Sequence, residues 1–113
     1  MPVEYGKNSA LVIGAGSWGT ALALVLAKNG QHVYLWDNDV QHIQNLIDHS
    51  SNQRYLPGIQ LPKNIIPVKN FPGTDEDILN IIIVVPCEYL EDVLIKLKQE
   101  CSGDVKLCLA SKG

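Results

Sequence analysis

The sequence predicts an α/β protein built on a doubly wound parallel sheet, with α-helices packed on both faces. Short apolar runs alternate with segments of helical periodicity along the 113 residues, and this alternation is typical of parallel strands joined by helical crossovers. The apolar runs are continuous rather than alternating, which indicates strands buried on both faces. We predict a Rossmann-type sheet that ends after about five strands, in the order 3-2-1-4-5.

Four apolar runs and one shorter segment are the predicted strands. They are rich in Val, Ile and Leu and are bounded by Gly, Pro, Asn or Asp. The run that begins at Ile81 is the clearest, because five consecutive β-branched residues disfavour a helix. In chain order the predicted strands are Ala10–Ile13, His32–Trp36, the neighbourhood of Ile65–Val68, Ile81–Val85 and Val105–Ala110.

Three segments between these runs have helical character. Thr20 to Lys28 is rich in Ala and Leu, and Gly30 follows at the position of a helix C-terminal glycine. The second helix is predicted to begin at a capping box formed by Asn38 and Gln41. The expected core faces are Val40, Ile43, Leu46 and Ile47 on the second helix, and Leu90, Val93, Leu94 and Leu97 on the third.

Composition excludes several classes of protein. The formal charge is −3, from 9 basic and 12 acidic residues, so the chain lacks the basic field of a general nucleic-acid binder. No stretch approaches the roughly 20 apolar residues of a membrane span, and Met1–Asn8 does not resemble a signal peptide. Three cysteines at spacings that match no zinc or redox motif favour reduced thiols in a cytoplasmic protein.

The first predicted strand runs directly into a glycine-rich turn of the form G-x-G-x-x-G, from Gly14 to Gly19. The hexamer alone is a weak signal. Here a strand precedes it, a helix follows it, and Asp37 ends the next strand at the expected distance of about 20 residues. This combination predicts a dinucleotide-binding domain, whereas a turn that serves only close packing does not account for all of it.

The residues of this turn have physical roles in holding a dinucleotide. Gly14 permits the tight turn, Gly16 lets the pyrophosphate approach the backbone, and Gly19 lets the helix pack close to the sheet. The helix start at Ser17 and Trp18 offers N–H groups and the positive end of the helix dipole to the phosphates. Trp18 is equally compatible with a surface or interface aromatic.

The carboxylate of Asp37 bears on the choice of cofactor. We expect it to accept hydrogen bonds from the hydroxyls of the adenosine ribose. It would also repel the 2′-phosphate of NADP, and no Arg stands at position 38 or 39. The sequence therefore predicts NAD as the cofactor, with NADP as the weaker alternative.

The histidines do not predict a metal site. His42 and His49 lie seven residues apart on one predicted helix, too far for a chelating pair at one-turn spacing. We therefore expect them to occupy a solvated face and predict no metal.

The extended motif Gly14–Ala23, GAGSWGTALA, resembles the opening of bacterial NAD(P)-dependent glycerol-3-phosphate dehydrogenases. The resemblance covers nearly the whole chain from Ala10 onward. It implies an oxidoreductase that interconverts sn-glycerol 3-phosphate and dihydroxyacetone phosphate with NADH or NADPH, in supply of the phospholipid backbone. Later segments that match the same family in the same order are Tyr55–Gly58 with Leu61–Pro62, Val84–Pro86 and Ala110–Gly113.

The resemblance also implies roles for individual residues. Ser17 and Trp18 would contact the cofactor, and Pro86 would end the fourth strand beside the nicotinamide. Asn38 would lie near the adenosine ribose, where many members of the family have Arg or His. Lys112 would reach both the cofactor and the substrate, and its ammonium would steady the substrate oxygen that gains charge during hydride transfer.

The family resemblance further implies a homodimer when the protein is intact, with a second, mostly helical domain that supplies the catalytic lysine. We expect residues 1–113 to form the N-terminal dinucleotide-binding domain, with the helical substrate domain absent, no catalytic residue present and no turnover by the fragment alone.

Two alternatives remain open at this point. A non-catalytic nucleotide-sensing module would share the glycines and Asp37, but it gives no reason for Tyr55–Gly58 or Lys112–Gly113. A methyltransferase has a related glycine-rich loop, but the complete hexamer with Ser17 and Trp18 at the helix start disfavours it.

Overall fold

The described residues form five strands and three helices, which alternate along the chain except between the third and fourth strands. The computed structural model describes residues 9–70, 78–100 and 106–109, and it confirms the α/β class. The elements in these ranges are β1 (Ser9–Ile13), α1 (Ser17–Lys28), β2 (His32–Trp36), α2 (Val40–His49), β3 (Ile65–Val68), β4 (Ile78–Ile83), α3 (Cys87–Glu100) and β5 (Lys106–Leu109).

The strands form one parallel sheet in the order β3-β2-β1-β4-β5, which confirms the predicted order. The order reverses between β1 and β4, so this is the switch point at which a doubly wound sheet leaves a crevice. Ile13 is in register with Trp36 of β2 and with Ile83 of β4. The carboxyl ends of these three strands are therefore level, and residues that follow them meet at one edge.

Helices cover both faces of the sheet and divide the core into two clusters. All five residues of β1 are buried, and successive side chains point to opposite faces. Val12 packs in the cluster under α1 and α2, whereas Leu11 and Ile13 pack with Val93 and Leu97 of α3. Each such apolar side chain stabilises the fold by about 1.5–3 kcal/mol on burial, so β1 is the centre of the domain.

The end of α1 confirms the predicted C-terminal glycine. Gly30 adopts a φ of +90°, a left-handed conformation that glycine tolerates best. The Gly30 N–H donates to the Ala27 carbonyl at 3.0 Å and the Gln31 N–H to the Leu26 carbonyl at 3.1 Å, which is the Schellman pattern. The helix begins at Ser17, where the glycine motif predicts its start, so α1 begins inside the motif and before the Ala- and Leu-rich stretch.

The predicted capping box of α2 is wrong by one residue. Asp39, not Asn38, is the N-cap, and its Oδ1 accepts the His42 N–H at 3.2 Å. The Asp39 N–H in turn donates to Oδ1 of Asp37 at 2.9 Å. This side-chain turn holds the chain outside the helix up to Asp39, and α2 starts after it.

We expect Asp39→Ala to lower the free energy of unfolding by about 1 kcal/mol, because the helix N-terminus loses its cap. Asp39→Asn is the matched control, since it keeps the capping oxygen and removes the charge that pairs with Arg54 at 3.4 Å. Urea unfolding of both variants tests this. An equal loss in Asp39→Asn would contradict the capping role and assign the effect to the ion pair.

The predicted core faces of α2 and α3 are too wide. Ile43 and Leu46 are buried as expected, but Val40 is 55% exposed and Ile47 is also exposed. The reason is that α2 packs on β3, which lies at the end of the sheet, so only one side of its apolar stripe meets the sheet. On α3, Leu94 is exposed, whereas Val93 and Leu97 pack in the core with β1 and β4.

The fourth strand also differs from its predicted bounds. It begins three residues earlier and ends at Ile83, so Val84 and Val85 follow the strand rather than complete it. The Val84 N–H still donates to the Ile13 carbonyl at 2.8 Å, which keeps this segment beside the end of β1. No helix in the described part of the chain combines the length and apolar character that crossing a membrane requires.

Candidate functional site

A groove of about 440 Å³ opens at the carboxyl ends of β1, β2 and β4. Its volume lies in the range of small-molecule sites, roughly 300–1,000 Å³, and its position is the switch point of the sheet. Lys112 lies outside the described residues. The other predicted cofactor residues all line this groove: Gly14, Gly16, Ser17, Trp18, Gly19, Asp37, Asn38 and Pro86.

Two of the three motif glycines are required by packing. Gly14 has a φ of +118°, and a Cβ built on it would lie 2.9 Å from the carbonyl carbon of Val84. A Cβ on Gly19 would lie 2.9 Å from the carbonyl carbon of Gly14 and 3.7 Å from Cγ1 of Val12. These positions allow the tight turn and the close approach of α1 to the sheet, as predicted.

The third glycine is different, because no neighbouring atom requires it. A Cβ on Gly16 would meet no atom within 4 Å. Its φ of −80° and ψ of −165° are accessible to any residue. A side chain at this position would enter the open space of the groove, so a glycine here keeps the backbone accessible from that side.

The N-terminus of α1 faces the groove without a side-chain cap. Gly16 is the N-cap residue and makes no side-chain hydrogen bond, and the first turn contains no acidic residue. The first N–H groups of a helix have no partner within the helix, and together with the dipole they form an anion site. Ser17 and Trp18 are exposed at this end, Trp18 by 48%.

Asp37 connects the end of β2 to the glycine turn. Its Oδ2 accepts the Ala15 N–H at 2.8 Å, and its Oδ1 accepts the Asp39 N–H at 2.9 Å. A carboxylate has about four lone-pair sites, so both oxygens retain capacity for a ligand hydroxyl. Asn38 is exposed beside it on the same side of the groove.

The opposite wall of the groove is apolar. Val84, Val85 and Pro86 follow β4, and Tyr89 in the first turn of α3 lies beside them. The Tyr89 N–H donates to the Pro86 carbonyl at 2.9 Å. Pro86 therefore lies directly before α3, but the prediction that it ends the fourth strand is wrong, because β4 already ends at Ile83.

The expectation that His42 lies on a solvated face is wrong. Its side chain is 4% exposed, and its Nε2 lies 2.8 Å from the carbonyl oxygen of Ala15. The helical spacing could have predicted this burial, because His42 precedes Leu46 by one turn and therefore lies on the same buried face of α2. His49, near the helix end, is exposed.

Asn52 is a second buried polar residue that the sequence did not single out. It is 1% exposed, and its Nδ2 donates to the Ala15 carbonyl at 2.9 Å and to Oγ1 of Thr20 at 2.7 Å. Its Oδ1 accepts the Tyr55 N–H at 3.2 Å. The amide is therefore satisfied inside the fold, as a buried polar group must be.

Arg54, in the turn that follows α2, also lines the groove. The Arg54 guanidinium lies 5.1 Å from the centre of the Tyr55 ring, and its Nη1 is 3.4 Å from Oδ2 of Asp39. The Tyr55 ring meets His42 edge to face, with centroids 5.2 Å apart. Both side chains of the ion pair are exposed, so it adds little stability, but it holds the Arg54 cation at Asp39 in the lining of the groove.

Comparison with known proteins assigns the chain to a family. The family model described as NAD-dependent glycerol-3-phosphate dehydrogenase N-terminus matches residues 9–113. The chain belongs to this family. This membership confirms the resemblance found in the sequence, and it does not favour the alternative of a non-catalytic nucleotide-sensing module.

Relatives in this family share the sequence and the fold. Glycerol-3-phosphate dehydrogenase (NAD(P)+) of Bartonella henselae is 40% identical over 105 residues, 93% of this chain and 31% of the relative. The Bacillus cytotoxicus enzyme is 42% identical over 102 residues, 90% of this chain and 30% of the relative. The crystal structure of glycerol-3-phosphate dehydrogenase from Coxiella burnetii superposes with a TM-score of 0.87 at 33% identity, covering 96% of this chain and 33% of that one. The chain thus spans about a third of the length of these relatives.

The structure supplies no metal-binding cluster in the part of the chain it describes. Within those ranges, no group of three His, Cys, Asp or Glu side chains is arranged to hold an ion. The groups that line the groove are backbone N–H groups, the carboxylates of Asp37 and Asp39, the Arg54 guanidinium and an apolar wall.

Proposed function

We propose that this chain is the cofactor-binding domain of an oxidoreductase that interconverts sn-glycerol 3-phosphate and dihydroxyacetone phosphate with NAD(P)H. The observation that carries the proposal is the accessible backbone of Gly16 at the uncapped N-terminus of α1. Packing explains the other two motif glycines but not this one. Family membership supports the choice of substrate.

We place the dinucleotide along the residues that line the groove. The pyrophosphate is proposed to lie against Gly16 and the first N–H groups of α1, at Ser17 and Trp18, where the helix dipole favours negative charge. The adenosine ribose would donate to Asp37, with Asn38 beside it. The nicotinamide would lie toward Pro86, on the apolar wall, which excludes water from that side.

When bound, the cofactor supplies the hydride. The residues proposed here bind and orient it. The ammonium of Lys112 is proposed to steady the substrate oxygen that gains charge. Residues 1–113 are proposed as the N-terminal domain of a longer enzyme, whose helical domain would supply the catalytic lysine. We further propose a homodimer in the cytoplasm that supplies the phospholipid backbone; these proposals rest on the family resemblance.

A fluorescence titration with NADH tests the proposed function. The chain contains two tryptophans, Trp18 and Trp36, and both line the groove. Bound NADH is therefore expected to quench their emission with saturation, and S-adenosylmethionine is the control that leaves it unchanged. Saturable binding of S-adenosylmethionine, or no response to NADH, would overturn the proposal.

We expect NADH to bind about tenfold more tightly than NADPH, a difference of about 1.4 kcal/mol. The carboxylates of Asp37 and Asp39 lie where the 2′-phosphate of NADPH would add negative charge. The cation of Arg54 is paired with Asp39, so it offsets this repulsion only in part.

The same titration measures this preference, with ADP-ribose and its 2′-phosphate as controls. Both compounds lack nicotinamide. If the ratio of their affinities equals the ratio for NADH and NADPH, the preference arises at the adenosine end of the cofactor. Tighter binding of NADPH than of NADH would contradict the role of Asp37.

A further inference from the structure

One carbonyl group of the glycine turn is held by two buried side chains. The Ala15 carbonyl oxygen lies 2.8 Å from His42 Nε2 and 2.9 Å from Asn52 Nδ2. These residues come from α2 and from the segment after it, 27 and 37 positions along the chain. Burying an imidazole and an amide is unfavourable unless their hydrogen bonds are made. Here the imidazole and the amide both contact the same backbone oxygen.

The other side of Ala15 is held as well. Its N–H donates to Oδ2 of Asp37 at 2.8 Å, and the residue itself has no exposed surface. Asn52 is fixed in turn by Oγ1 of Thr20 and by the N–H of Tyr55. Both peptide groups that flank Ala15 are therefore held in one orientation by residues outside the turn.

This arrangement fixes the direction of the next N–H group. In a trans peptide the carbonyl and the N–H of the following residue point in opposite directions, and the described residues contain no cis peptide. The Ala15 carbonyl points inward to His42 and Asn52. The Gly16 N–H therefore points away from His42 Nε2 and Asn52 Nδ2, and Gly16 itself lines the groove.

We propose that Asn52 and His42 are positioning residues that direct the Gly16 N–H toward the cofactor pyrophosphate. The proposal rests on the proposed function. Without the two donors, rotation of this peptide would turn the Ala15 carbonyl toward the groove. Its negative end would then face the phosphates in place of an N–H donor, and the affinity for a pyrophosphate would fall even if the fold were intact.

The test compares ADP with adenosine, since only ADP engages the phosphate site. Affinities are measured by NMR titration of the 15N-labelled chain, well below the thermal midpoint of each variant. Asn52→Leu is expected to weaken ADP and NADH about tenfold and to change adenosine affinity less than about twofold. Equal losses for ADP and adenosine, or no loss for either, would overturn the proposal.

Asn64 provides a matched control. Its Nδ2 also donates to two backbone carbonyls, those of Ala27 at 2.8 Å and Gln31 at 2.9 Å, but at the far end of α1. Asn64→Leu is therefore expected to lower the thermal midpoint and to leave the ratio of ADP to adenosine affinity unchanged. If the ratio of ADP to adenosine affinity changed in Asn64→Leu, this ratio would depend on stability rather than on the glycine turn, and the proposal would be overturned.

Two further measurements keep the proposal testable if Asn52→Leu does not fold. His42→Leu is expected to weaken ADP binding, and His42→Gln, which keeps a donor near the Nε2 position, to restore most of it; weakening without restoration would overturn the role of His42. In the unaltered chain, the Gly16 amide resonance is expected to shift on addition of ADP and not of adenosine, and an unmoved resonance would overturn the proposal. Failure of the unaltered chain to bind either ADP or NADH would overturn the proposed function itself, and this inference with it.

Discussion

Gly19→Ala is expected to lower the free energy of unfolding by about 2 kcal/mol. The added Cβ would lie 2.9 Å from the carbonyl carbon of Gly14, and backbone cannot move aside as a flexible side chain does. Overpacking costs about 1–3 kcal/mol, and contact with backbone places Gly19 at the upper end, at about 3 kcal/mol, while the gain in helix propensity from Gly to Ala is about 1 kcal/mol. The steric cost therefore exceeds the gain in helix propensity, and the free energy of unfolding falls.

Urea unfolding measures this loss, with Gly16→Ala as the control in the same turn. A Cβ on Gly16 meets no atom within 4 Å. The variant gains about 0.4–1 kcal/mol from the lower entropy of the unfolded chain and loses a similar amount because Ala is a poorer N-cap residue than Gly, so its stability is expected to stay within about 1 kcal/mol of the original. A Gly19→Ala variant as stable as the original would mean that α1 has room to move away from β1. The close approach at Gly19 would then have no structural role.

Gly16→Ala is expected to lower the affinity for NADH on the order of tenfold or more, about 1.4 kcal/mol at least. The methyl group would occupy the space beside the backbone that the pyrophosphate is proposed to use. Because the backbone angles of Gly16 suit any residue, the variant should fold as the original does, and the loss would belong to the ligand alone.

Fluorescence titration with NADH and with adenosine separates the two contributions. Adenosine does not reach Gly16 in the proposed arrangement, so its affinity should be retained by Gly16→Ala. If NADH bound Gly16→Ala as tightly as the original chain, the pyrophosphate would not lie against this residue. The glycine at position 16 would then be without an explanation.

The sequence predicts the sheet well because its signals are local. Continuous β-branched runs indicate buried strands, and the alternation with helices restricts the topology to few arrangements. The motif from Gly14 to Gly19 identifies the first crossover, and Asp37 follows at the required distance. The strand order and the convergence of these residues on one groove are consequences of that pattern.

The long-range side-chain contacts that hold the glycine turn and the start of α2 were not predictable from the sequence. His42 and Asn52 reach Ala15 across 27 and 37 positions, and Arg54 reaches Asp39 across 15. Such pairs depend on how the segment after α2 folds back, which neither periodicity nor spacing encodes. The sequence therefore indicated which residues line the groove, but not which residues hold them in place.

The N-cap and the helix faces were missed for a related reason. Asn38 and Asp39 are both good capping residues, and the choice between them depends on the hydrogen bond from Asp39 to Asp37. Val40 and Ile47 fit an apolar stripe but lie beyond the part of α2 that meets the sheet. In each case the residue type fits the local pattern. The packing of the rest of the fold then decides which residue caps the helix and which apolar residues are buried.

A crystal structure of the chain with NADH would show directly where the pyrophosphate lies. We expect the pyrophosphate within hydrogen-bond distance of the backbone N–H groups of Gly16 and Ser17, with the adenosine ribose hydroxyls on Asp37 and the nicotinamide toward Pro86. A groove left empty at saturating NADH, or a pyrophosphate bound away from Gly16, would contradict this expectation.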